Sequence, residues 1–98
     1  MNAAEAIETL KRLRADLEAA GVEHLSLFGS TARGEARSDS DIDLAASLRP
    51  GTSFGAFRLV RLERQLADLL GSRVDLVTEP SDRPRLQAEI DRDRVVVF

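Results

Sequence analysis

Apolar residues recur at helical spacing up to Ala20: Ile7, Leu10, Leu13, Leu17 and Ala20 share one stripe, and Gly21 follows as a stop. The pattern predicts one helix from Ala3 to Ala20, with Glu8, Lys11, Arg12 and Arg14 on a solvated face. The period then drops to two. In VEHLSLFG, Leu25 and Leu27 alternate with Ser26 and Phe28, which predicts a strand, and a short helical turn is expected from Ser30 to Gly34. SDSDIDLAASL predicts a second strand, from about Asp41 to Ser47, closed by Pro50-Gly51. Thr52 or Ser53 is the candidate cap for a helix in SFGAFRLVRLERQLADLLG, where Leu59, Leu62, Leu66 and Leu69 form the stripe and Gly71 ends it. RVDLVTEP reads as a third strand ended by Pro80, PRLQAEIDRD as a short helix, and VVVF as a final buried strand. This alternation predicts an α/β sandwich with one sheet, a single domain over residues 1–98.

Composition narrows the function. Ninety-eight residues, 43% of them hydrophobic and 32% charged, suit one soluble core. Four Phe with no Trp or Tyr leave little stacking surface for single-stranded nucleic acid. Fourteen basic against seventeen acidic residues give a formal net charge of -3, which disfavours direct nucleic-acid binding. The absence of cysteine excludes disulfides, thiolate zinc sites and a cysteine nucleophile, and fits a reducing cytoplasm. MNAAEAIETLKRL is amphipathic and carries acidic residues, unlike a signal peptide, and no apolar run approaches the roughly 20 residues a bilayer needs. The expectation is a cytoplasmic protein with no membrane partner.

The candidate chemistry lies in LFGSTARGEARSDSDIDLA. On a strand, Asp41 and Asp43 project from one face while Ile42 and Leu44 turn to the core. Two carboxylates so placed can converge on one hard cation, or hold two about 3.5–4 Å apart, as phosphoryl-transfer sites do. Alone, alternating aspartates equally suit the solvent face of an edge strand. Upstream, Gly29 allows close backbone approach to a phosphate, and Ser30 opens a helical turn whose N–H groups favour an anion. That pair alone also suits a plain turn and N-cap. Together the two features supply both halves of a metal–nucleotide site. Arg33 and Arg37 can contact phosphate or pair with Glu35 or Asp39; Asp39 reads as a turn or cap residue, not a ligand. Asp75, between Val74 and Leu76, is the candidate third carboxylate. His24 has no partner at ligand spacing and reads as a surface residue, and EIDRDR as a solvated helix end. No His–Asp relay supports a serine nucleophile.

Gly29-Ser30, ten residues, then Asp41-Ile42-Asp43, followed later by VDLV with Asp75, resembles the nucleotidyltransferase signature of the DNA polymerase β superfamily. The length, the ARG after the GS pair and the VVVF ending are similar to the minimal nucleotidyltransferases, often paired with a HEPN-domain partner. The resemblance implies a polymerase β-like fold, a single mixed β-sheet with helices packed on it. It implies Asp41, Asp43 and Asp75 as catalytic and Mg²⁺-binding residues, with two ions, and Gly29 and Ser30 around the triphosphate of ATP, with Arg33 as a further candidate there. It implies transfer of AMP to a hydroxyl of a partner protein, with the chain as antitoxin of a HEPN toxin, and allows a homo-oligomer. With no helical domain after the last strand, the acceptor is expected from another chain. Two alternatives stand beside it: a non-catalytic antitoxin that binds its partner, and a subunit modifying a small molecule such as an antibiotic.

Overall fold

The computed structural model describes residues 1–37 and 40–98, so the role expected of Asp39 lies outside the described residues. Chain order is α1 (Ala3–Arg12), α2 (Arg14–Ala20), β1 (Val22–Phe28), α3 (Gly29–Ala32), β2 (Ile42–Leu48), α4 (Ala56–Leu70), β3 (Val74–Glu79), α5 (Pro84–Asp93) and β4 (Val95–Val96). Among the described residues the strands form one mixed sheet in the order β3-β2-β1-β4. β1 runs antiparallel to β2 and β4, whereas β2 and β3, joined through α4, are parallel. No helix there is long and apolar enough to cross a membrane.

Alternation along the strands divides the sheet faces. Leu25, Leu27, Ile42, Leu44, Ala46, Val74 and Leu76 join Leu10 and Leu17 of the first two helices and Leu66 and Leu70 of α4 in the main core. The opposite face carries a smaller cluster in which Ile90 of α5 packs on Phe28 and Ala45. Arg94 pins α5 there: Nη1 donates to Ser26 Oγ (2.9 Å) and to Glu79 Oε2 (3.0 Å), while Gln87 Nε2 donates to Glu79 Oε1 (2.9 Å). The Arg94 guanidinium, more than Gln87, holds Glu79 below the ordinary carboxylate range against its partial burial.

Four sequence expectations are corrected. The predicted first helix is two, broken at Leu13 (φ -92°, ψ 3°); no glycine or proline marks the break, and the bend keeps both Leu10 and Leu17 on the sheet. Neither Thr52 nor Ser53 caps α4, which starts after Gly55: Thr52 donates its N–H to Arg49 O (2.9 Å), and its methyl packs against Gly21. Leu69 is 58% exposed, because the buried stripe of α4 passes from Leu66 to Leu70. The final strand has two residues and lies at the sheet edge, with Val96 exposed and Val97 buried.

Candidate active site

One row of strand partners assembles the site. Phe28 of β1 stands opposite Asp43 of β2, and Asp43 beside Asp75 of β3. Ile42 and Leu44 are buried on the other side of the sheet, so period-two geometry turns Asp43 toward the α5 face. Phe28 ends β1 and delivers the chain into α3 through Gly29. Gly29 has φ +74°, and a Cβ there would lie 2.2 Å from Asp43 Oδ2. Only glycine gives both that conformation and that closeness. The four-residue α3 therefore begins against the Asp43 carboxylate, with the half-buried Ser30 as its second residue. Thr31, next in line, is buried and lines a small cavity with Met1, Asn2 and Ala3, and its Oγ1 has no hydrogen-bond partner among the described residues.

The electrostatics follow from this crowding. Burial first, then Asp75, Glu89 and Asp41, push the Asp43 carboxyl from 3.8 up to about 6, and Arg33 opposes them. Glu89 was hidden in the charged run expected to be solvated. In the fold Ile90, buried on Phe28 and Ala45, brings half-buried Glu89 within electrostatic reach of Asp43. The signal was available: Leu86 and Ile90, one turn apart, mark an inward face of α5. Asp93 departs from the same expectation. Its side chain is 4% exposed and accepts from Arg92 Nε (3.0 Å) and Arg33 Nη1 (2.6 Å); Arg92 first, then Arg33, hold it below the ordinary range. Arg33 also donates to Glu35 Oε2 (3.0 Å), so it stands at the end of α3 tied to Glu35 and Asp93. Arg37 lines the small cavity beside Thr31.

Asp41 precedes β2. The hydrogen bond from Ile42 N–H to Arg73 O (2.8 Å) sets Arg73 beside it, with Nε 3.0 Å from Asp41 Oδ1. The angle is not that of a hydrogen bond, and Oδ1, buried as an atom, has no hydrogen-bond partner among the described residues. Asp75 is exposed on the edge strand, where two cavities meet. One, about 370 Å³, is lined by Asp41, Glu63, Arg64 and Arg73; the other, about 600 Å³, by Leu59, Val77, Arg83 and Leu86. His24 is exposed as expected, on the rim of a third cavity at the far end of this face.

Among the described residues no three carboxylate or imidazole groups stand ready-clustered for a metal. The donor chemistry nevertheless fits a hard divalent cation: a buried Asp41 oxygen without a hydrogen-bond partner stands near an Asp43 carboxyl that burial and three neighbouring carboxylates crowd more than Arg33 relieves.

The family model for the nucleotidyltransferase domain matches residues 7–97. The chain belongs to the nucleotidyltransferase domain family. This nucleotidyltransferase is similar to protein adenylyltransferase MntA of Thermococcus cleftensis, 38% identical over 77 residues, 79% of this chain and 76% of that protein. A solved structure described as a minimal nucleotidyltransferase shares the fold at TM-score 0.72 and 35% identity, covering 97% of this chain and 95% of its own. A crystal structure of a toxin–antitoxin with AMP-PNP matches at TM-score 0.78 and 25% identity, covering 92% and 72%. These comparisons agree with the mixed-sheet α/β fold expected from the signature.

Proposed function

We propose that this chain acts as one adenylyltransferase domain, moving AMP from ATP to a hydroxyl of a partner protein in the cytoplasm, as the antitoxin to a HEPN-domain toxin. The observation that carries this reading is the joint placement of Gly29 against Asp43 and of Asp43 beside Asp75. The adenylyltransferase relative and the toxin–antitoxin neighbour with AMP-PNP support the nucleotide and the kind of partner.

In this reading the start of α3 cradles the triphosphate: backbone N–H groups after Gly29 and the Ser30 hydroxyl meet the phosphate oxygens. Arg33, held by Glu35 and Asp93, adds positive charge at the end of α3. Mg²⁺ held by Asp41, Asp43 and Asp75 would supply neutralisation of the phosphate and leaving-group charge. The acceptor oxygen bonds to the α-phosphorus as the bond from that phosphorus to the bridging oxygen breaks, and pyrophosphate leaves. Asp75, exposed at the strand edge, takes the hydroxyl proton. Positioning and electrostatics carry most of the acceleration.

The test is α-labelled ATP and Mg²⁺ with the purified protein and lysate from its source, beside an Asp41→Ala/Asp43→Ala variant. Label on a discrete protein band with the unmodified chain alone is the expected result. No protein label despite partner binding favours the non-catalytic antitoxin, and label only in small molecules favours small-molecule modification. Ser30→Ala is expected to weaken ATP binding with little loss of stability, since Phe28 holds the N-cap position of α3 and no side-chain cap hydrogen bond is made there. Unchanged affinity by titration calorimetry would remove Ser30 from the cradle.

A further inference from the structure

Helix α4 presents an exposed stripe. Phe57 (89% exposed), Val60 (47%), Arg61 and Arg64 follow at i, i+3, i+4 and i+7, and so lie above one another. Arg58 is already engaged, donating to Ala20 O (2.6 Å) and lying over the Phe54 ring. Arg61 and Arg64, by contrast, make no ion pair among the described residues. Arg64 brings the stripe onto the wall of the 370 Å³ cavity, which Asp75 also lines with Asp41 and the Arg73 paired to it. Glu63 on the same wall is taken, accepting from the Leu76 N–H (2.9 Å). An apolar and cationic strip thus runs along α4 from Phe57 to Arg64, at the edge of the Asp75 cavity, in a chain that is acidic overall. An exposed aromatic side chain with neighbouring arginines is the composition of a protein-binding hot spot.

We infer that this strip receives the acceptor protein through an acidic segment: carboxylates flanking the hydroxyl to be modified pair with Arg61 and Arg64, and an apolar side chain covers Phe57 and Val60. The inference rests on the reading of Asp75 as the group nearest the acceptor. Charge complementarity at such a rim favours one partner mainly by repelling the wrong sign.

Three synthetic peptides of equal length test it, each with one tyrosine flanked by glutamates, serines or lysines, incubated with α-labelled ATP and Mg²⁺. The glutamate peptide is expected to be labelled at least about tenfold more efficiently than the serine peptide, and the lysine peptide least. Arg64→Glu, at an exposed helical position, should remove the preference for glutamates and raise labelling of the lysine peptide. A merely structural role for Arg64 gives no such inversion. Equal labelling of all three peptides, or the same order with Arg64→Glu, overturns the docking strip and leaves adenylyl transfer standing. No label on any peptide and no pyrophosphate released overturns the transfer reading, and the docking strip with it.

Discussion

Asp43→Asn is expected to lower nucleotidyl transfer by roughly 10³-fold or more, the scale of losing a preorganised electrostatic group, while making the cation-free protein more stable at neutral pH. The two effects share one cause. Burial among Asp75, Glu89 and Asp41 raises the Asp43 carboxyl from 3.8 to about 6. A group that binds its proton more tightly when folded contributes stability fully below its unfolded value, and that contribution is lost as pH rises through about 6. The rise from 3.8 to about 6 sets a ceiling of ~3 kcal/mol, which partial solvent exposure reduces to ~1–2 kcal/mol. The stability gap between the Asp43→Asn variant and the unmodified protein should therefore be near zero at about pH 4 and open toward about pH 7.5. Urea melts across that range check it. Added Mg²⁺ should close or reverse the gap, since a cation that binds only the folded carboxylate cluster stabilises the unmodified chain. Parallel pH profiles for the two proteins would show that Asp43 is not crowded by its neighbours.

Much of this site was legible because its parts are local. The period-two pattern around Ile42 and Leu44 determined which way Asp43 points, and the apolar run ending at Phe28 placed Gly29 at a strand-to-helix junction. The pairing of Asp43 with Asp75 needed more, because parallel register is set across the α4 crossover and not by neighbouring residues. What escaped the reading was tertiary. Glu89 and Asp93 look like solvated charges until Ile90 packs on Phe28 and Ala45, after which both acids belong to the site's electrostatics. Arg73 drew no reading from the sequence, yet the bond from Ile42 N–H to its carbonyl sets it beside Asp41. The break at Leu13 and the late start of α4 have the same origin, since packing against the sheet and Thr52's engagement in the turn after β2 overrode helical periodicity and cap preference.

Gly29→Ala is expected to reduce transfer to near background while the protein still folds. At φ +74° an alanine costs about 1–2 kcal/mol in backbone strain. The larger consequence is contact: the new methyl would stand 2.2 Å from Asp43 Oδ2 and 3.1 Å from its Cγ, so the carboxyl must leave its place. Because that carboxyl is the movable end of a side chain, displacement spares much of the stability and falls on function. A double-mutant cycle with Asp43→Ala separates the two costs. Removing the carboxyl frees the space, so the double variant should be more stable than the summed single effects by more than ~0.5 kcal/mol, leaving mainly backbone strain. Additive stabilities would mean that the Gly29 backbone and the Asp43 side chain do not meet in solution. The start of α3 would then be no part of the surface that faces the carboxylates, and the phosphate cradle would have to be sought elsewhere. Coupling with loss of transfer would instead tie the absence of a Cβ at Gly29 directly to the position of the carboxylate on which the chemistry depends.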